Sequence, residues 1–152
     1  MKAALLDIKA SIQINKTAEE VFEAIVDPKH MSNYFIATGN ARLETGKDLI
    51  WKFPEFDIDV PIRCHQVKAH QYVSFYWDDP DGTALLVEMN LRPEGSGTVL
   101  TITEKSRKLD DEGIAWLKRN TEGWANFLAC LKAYLEFGIN LRKGAFDFMK
   151  HD

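Results

Sequence analysis

One acidic residue stands out because of the pattern around it. In the segment 98–107, Leu100 and Ile102 alternate with polar residues, which is typical of a strand with one buried face. Glu104 continues the phase of these two residues, so the pattern predicts a carboxylate on the buried face. A carboxylate there could orient a ligand or transfer protons. The alternative is a strand-end glutamate that reaches water or pairs with Lys105 or Arg107.

Histidine and cysteine are few, and their spacing predicts no metal site. The histidines are His30, His65, His70 and His151, and they form neither H-x-H nor H-E-x-x-H. Cys64 and His65 are adjacent, so on a regular strand they point to opposite faces. Cys64 and Cys130 lie in apolar patterns, which favours two buried thiols in a reducing, cytoplasmic environment.

Motifs for nucleophilic or nucleotide chemistry are absent from the sequence. The segment Gly95-Ser96-Gly97 is not G-x-S-x-G and lies between two predicted strands, so a turn is the better interpretation. Residues 78–82 contain three aspartates but lack the ligand spacing of an EF-hand loop. There is no Walker A motif and no G-x-G-x-x-G. The sequence therefore predicts no catalytic residue, no metal and no cofactor.

Aromatic residues form the second candidate group, with nine Phe, four Trp and four Tyr. Pockets for small molecules are typically apolar and aromatic with a few polar groups. The candidate cavity residues are Tyr34, Trp51, Phe53, Phe75, Trp77, Met89, Glu104, Trp124 and Phe127. The alternative is that the rings simply fill the core.

The elements that would position these residues follow from periodicity. Apolar residues alternate over 6–14, which predicts a strand. Thr17 and Glu20 fit a capping box, and a second short helix is predicted over 28–35. Further strands are predicted over 37–44, 48–53, 57–68, 71–78, 83–93 and 98–107, with a bulge near Gln66. A long helix is predicted over 111–137, between Asp110 as N-cap and Gly138.

Length and charge restrict the class of protein. The 152 residues suit one domain over 1–152, and the net charge of −4 with scattered basic residues argues against nucleic-acid binding. Asp7 and Lys9 interrupt the apolar N-terminal run too early for a signal peptide, and no stretch is long enough to span a membrane. We expect an α+β protein in which a bent antiparallel sheet of seven strands is covered by the long helix.

The order of elements and several local motifs resemble the helix-grip fold of the START-like (SRPBCC) superfamily. The similar segments are 12–25, 67–77, 98–104, 122–124 and 128–136. They resemble the "I-x-A-P-x-E-x-V-(F/W)-x-A-(L/I)" opening, the "V-x-P-P-x-x-L-x-F-T-W" strand pair, and the "T-x-L … G-W-x-x-x-L" ending. Ala69 and His70 stand where prolines are usual. The ending is typical of the AHSA-type branch, named for the activator of heat-shock protein 90 ATPase.

This resemblance implies a cavity between the sheet and the C-terminal helix that holds lipids, sterols, polyketides or other apolar molecules. The leading hypothesis is therefore a cytoplasmic protein that binds a small hydrophobic molecule. One alternative is a cyclase- or hydrolase-type enzyme that uses a cavity carboxylate or histidine as acid or base. Another is a co-chaperone-like interaction module. Open sheet edges also allow a homodimer.

Overall fold

Seven strands and three helices account for most of the chain, and the computed structural model describes residues 4–151. Met1–Ala3, part of the segment considered for a signal peptide, and Asp152 lie outside the described residues. The elements are β1 (Leu5–Ile14), α1 (Ala18–Val26), α2 (Pro28–Met31), β2 (Thr38–Gly39), β3 (Asp48–Lys52), β4 (Asp59–Lys68), β5 (Tyr72–Asp78), β6 (Ala84–Glu94), β7 (Gly97–Lys108), α3 (Asp111–Phe137) and a 3-10 turn (Asp147–His151).

The strands form one antiparallel sheet in the order β1-β7-β6-β5-β4-β3-β2. Between β4 and β5, Cys64 pairs with Phe75 and Gln66 pairs with Ser74, so one extra residue lies in β4. This is the predicted bulge, and it shifts the apolar phase from Ile62 to Val67 and bends the sheet. The predicted fold class, an α+β helix-grip with a bent seven-stranded sheet, is confirmed.

Two predicted elements are shorter than expected. The helix predicted over 28–35 ends at Met31 and continues as turns, and the strand predicted over 37–44 keeps only Thr38–Gly39. The side-chain oxygen of Asn40 accepts from the backbone N–H of Ile50 at 2.9 Å, where a strand would use its own carbonyl. The chain then leaves the sheet toward α1.

The long helix covers the concave face of the sheet, and its predicted bounds are confirmed. The Asp110 carboxylate accepts from the backbone N–H of Gly113 at 2.7 Å, which caps the first turn. Gly138 ends the helix at φ +65°, a left-handed conformation that glycine adopts without steric cost. Trp116, Trp124 and Phe127 are among the helix residues that are buried against the sheet.

The chain beyond α3 folds back over the end of the sheet. We call residues 139–151 the C-terminal segment; they form turns and then the 3-10 turn. Arg142 is anchored to Glu55 in the β3–β4 loop by a 2.6 Å ion pair. The segment therefore lies beside both the β3–β4 loop and α3, and it forms one wall of the site described next.

Candidate functional site

Glu104 lies in the interior, between β7 and α3, and it is fully buried. Its Oε1 accepts from Trp124 Nε1 at 2.8 Å and from Asn120 Nδ2 at 3.1 Å. Its Oε2 accepts from Trp77 Nε1 at 3.1 Å, Asn120 Nδ2 at 3.2 Å and Trp116 Nε1 at 3.4 Å. Three indoles and one amide thus converge on a single carboxyl group.

Local sequence explains how these donors reach one point. Trp116, Asn120 and Trp124 recur at four-residue intervals, so α3 presents them along one face. Trp77 comes from β5, and β6 lies between β5 and β7. All the partners of Glu104 are donors, and an ionised carboxylate only accepts, so the charged form matches the set. Neither of the basic residues predicted as alternative partners binds Glu104. Lys105 forms an ion pair with Glu88, and Arg107 forms ion pairs with Asp79 and Asp81.

The predicted cavity rings contact one another rather than enclose a large space. Ring centroids are 5.2 Å apart for Trp51 and Phe75, 5.5 Å for Trp77 and Trp124, and 5.3 Å for Trp124 and Phe127. Besides Glu104, the candidates that are at most 1% exposed are Tyr34, Trp51, Phe75, Met89 and Phe127. Phe53 is partly buried. These six form part of the packed core.

Tyr34 is held in that core by its hydroxyl group, which donates to the carbonyl of Ala24 at 2.7 Å. Burial raises the pKa of Tyr34 well above its usual range, so the phenol stays neutral and donates. Its ring packs edge-on against Phe127 at 5.3 Å. This contact fixes the turn after α2 against α3.

An open pocket of about 300 Å³ lies where β5, α3 and the C-terminal segment meet. Of the predicted site residues, Trp77 and Trp124 line it. The other lining residues are Glu55, Phe56, Arg119, Asn120, Glu122, Gly123, Asn126, Arg142, Phe146 and Met149. Glu104 lies behind the two tryptophans and does not line the pocket.

Arg142 and Glu55 line both this pocket and a second one of about 350 Å³ near Tyr34 and Phe35. The contacts of Arg142 hold it between the two. Its guanidinium lies 4.9 Å from the ring centroid of Phe146 and 5.9 Å from those of Phe35 and Phe53. It pairs with Glu55 through Nη2, and its Nε is buried without a hydrogen-bond partner among the described residues. Cation–π contacts and one ion pair thus hold the C-terminal segment in place.

Sequence reasoning missed Asn120 and the C-terminal segment as parts of this site. The four-residue spacing of Trp116, Asn120 and Trp124 was the available signal for Asn120. Arg142 and Glu55 are 87 residues apart, and no local pattern links them.

Cys64 and Cys130 are buried free thiols, and burial raises the pKa of Cys64 to about 11.

A family profile described as activator of Hsp90 ATPase homolog 1-like protein (AHSA1) matches residues 15–136. This chain belongs to the AHSA1-like family. None of the curated proteins matches the chain at a significant level.

Several solved structures of AHSA1-like shape are similar to this chain. The protein SSP2350 from Staphylococcus saprophyticus is 32% identical, with a TM-score of 0.80, over 90% of this chain and 96% of that one. The solution structure of the Aha1 dimer from Colwellia psychrerythraea is 15% identical, with a TM-score of 0.75, over 88% and 98%. CalU16 from Micromonospora echinospora is 18% identical, with a TM-score of 0.70, over 99% and 98%. The last two likenesses show the shared fold alone.

Residues 4–151 contain no group of three or more His, Cys, Asp or Glu side chains arranged to hold a metal ion. Within the same residues, none of the helices has both the length and the apolar character that crossing a bilayer requires.

Proposed function

We propose that this AHSA1-like protein binds a small hydrophobic molecule in the pocket between β5, α3 and the C-terminal segment. The observation that carries the proposal is the apolar lining of this pocket, which includes Trp77 and Trp124 together with Phe56, Phe146 and Met149. A volume of about 300 Å³ is at the lower end of the range for small-molecule pockets. Burial of apolar surface would supply most of the affinity, at roughly 25 cal/mol per Å² before the costs of association.

Gly123 offers a clean way to test this proposal. It lines the pocket on α3, and a Cβ added there would meet no atom within 4 Å. Gly123→Leu would therefore fill part of the pocket without disturbing the packed core, and it would raise helix propensity. Gly123→Ala is the matched control, because it makes the same backbone change and adds only one methyl group.

The assay is fluorescence titration with N-phenyl-1-naphthylamine, an uncharged probe that brightens in apolar surroundings, together with native mass spectrometry for co-purifying molecules. We expect saturable binding to the wild type and to Gly123→Ala, and loss of binding in Gly123→Leu. Equal binding by all three proteins would place the probe elsewhere and would contradict the proposal.

The enzyme alternative stays a prediction. Both oxygens of Glu104 are engaged by protein donors, so proton transfer by this group would require those bonds to break. A pH-dependent turnover that Gly123→Leu abolishes would favour the enzyme. The co-chaperone alternative rests on the family's name, and stimulation of a purified Hsp90 ATPase that Gly123→Leu leaves intact would favour it.

We also propose that residues 1–152 act as one domain in the cytoplasm, where the thiols of Cys64 and Cys130 would stay reduced. The homodimer stays a prediction, supported by the dimeric Colwellia structure and by a sheet with β1 and β2 at its edges. Light scattering after gel filtration tests it, since the chain mass is 17.4 kDa. A mass that remains monomeric at high concentration would contradict it.

A further inference from the structure

We propose that the pocket takes an uncharged, planar aromatic molecule, and that Glu104 positions the Trp77 and Trp124 wall against which this molecule stacks. This inference rests on the proposed function and narrows it in two ways. It names a ligand class, and it gives a role to a buried carboxylate that does not touch the pocket.

Hydrogen bonds to Glu104 hold the two tryptophans of the wall in place. Trp77 and Trp124 lie 5.5 Å apart with their ring planes at 32°, and each directs its Nε1–H at Glu104. An indole has a single N–H donor, so this bond fixes the rotation of each ring. Trp116 anchors the same carboxylate from a position that does not line the pocket. Glu104 is therefore a positioning residue, because it acts through the rings.

The wall presents mainly ring carbons to a ligand. The polar edges of both indoles are turned toward a fully buried carboxylate, so the pocket meets their carbon frameworks. Asn120 also lines the pocket, but its Nδ2 donates to Glu104 and its Oδ1 accepts from Arg119 at 3.0 Å. A wall of ring carbons favours stacked aromatic molecules.

The charged residues of the pocket favour an uncharged ligand. Arg119 donates to Asp79 at 2.7 Å, and Arg142 donates to Glu55 at 2.6 Å. Residues of both charges line the pocket, so an anionic ligand would meet Glu55 and Glu122, and a cationic ligand would meet Arg119 and Arg142. An uncharged ligand avoids both costs.

The test compares two probes that share one ring system. N-phenyl-1-naphthylamine is uncharged, and 1-anilinonaphthalene-8-sulfonate carries a sulfonate. Only binding that Gly123→Leu removes is counted. We expect the uncharged probe to bind at least about tenfold more tightly, and Glu104→Gln to weaken it by about tenfold. Glu88→Gln on the neighbouring strand is the matched control and should leave the affinity unchanged.

A spectroscopic readout separates positioning from general loss of structure. In a proton–nitrogen correlation spectrum, Glu104→Gln should move the indole N–H signals of Trp77, Trp116 and Trp124. The signal of Trp51, whose Nε1 has no partner among the described residues, should move least. Trp116→Phe removes one donor from behind the wall and should weaken probe binding by about threefold. It replaces Glu104→Gln if that variant does not fold.

Each outcome bears on one statement. If the wild type binds neither probe in the pocket, the proposed function fails, and the ligand class fails with it. If Gly123→Leu-sensitive binding exists but favours the sulfonated probe, the ligand class is wrong and the proposed function stands. If Glu104→Gln moves the three indole signals yet keeps full affinity, the positioning role is wrong. If Trp116→Phe is used in its place, movement of the Trp77 and Trp124 signals with full affinity overturns the role in the same way.

Discussion

The cluster around Glu104 makes a quantitative prediction about stability. Glu104→Gln keeps the size of the side chain but replaces one acceptor oxygen with an NH₂ group. If the NH₂ group takes the place of Oε1, the N–H of Trp124 loses its acceptor; if it takes the place of Oε2, Trp77 and Trp116 both lose theirs. At least one buried indole N–H is therefore left unpaired, at a cost of about 1–3 kcal/mol.

The remaining hydrogen bonds also weaken, because bonds to a charged acceptor contribute about 1 kcal/mol more than bonds to a neutral one. We expect the free energy of unfolding to fall by about 3 kcal/mol in total, which corresponds to a melting temperature about 10 °C lower for a chain of this size. Urea denaturation followed by circular dichroism measures the change.

Glu88→Gln is the control, since Glu88 is partly exposed on β6 and accepts from Tyr72 at 2.6 Å. It should cost no more than about 1 kcal/mol. A Glu104→Gln protein as stable as the wild type, or more stable, would refute the reasoning. It would mean that burying the Glu104 carboxylate costs more free energy than the hydrogen bonds from its four donors contribute.

Three further predictions concern separate parts of the chain. Arg142→Met leaves Glu55 without its cation, so hydrogen exchange should show loss of protection in the C-terminal segment alone, whereas Lys143→Met should change nothing. The pKa of about 11 predicts that Cys64 reacts with Ellman's reagent at pH 8 only after unfolding, and rapid reaction of the native protein would contradict this. A hydrogen bond from Lys132, one helical turn away, lowers the pKa of Glu136 from its usual value of 4.5. The ionised Glu136 carboxylate therefore stabilises the fold above pH 4.5, and this stabilisation is lost as the pH falls through the lowered pKa. Glu136→Gln should make the free energy of unfolding depend less on pH below 4.5, and an unchanged pH dependence would contradict this role of Glu136.

Most of the fold could be predicted because its signals are local. Thr17 caps α1 by accepting from the backbone N–H of Glu20, as the spacing of these two residues predicts. Asp110 and Gly138 mark both ends of α3 for similar reasons. The strand predicted over 37–44 is shorter than expected, because contacts within the fold override the local pattern. At Asn40 the side chain replaces a strand hydrogen bond.

Only part of the candidate site could be predicted from the sequence. Strand phase placed Glu104 on the buried face, and periodicity placed Trp124 on the covering helix. The convergence of Trp77 with them depends on β5 being two strands from β7, which no local pattern contains. The packing of Trp51 against Phe75 depends on the bend of the sheet in the same way.

The lining of the pocket comes from both sides of Gly138, the residue that ends α3. The AHSA1 match covers residues 15–136, whereas Arg142, Phe146 and Met149 follow Gly138. One wall of the pocket is thus built from the C-terminal segment, which Arg142 fastens to Glu55. On the proposed function, exchanging the sequence after Gly138 would change that wall and leave Trp77 and Trp124, which come from β5 and α3, unchanged.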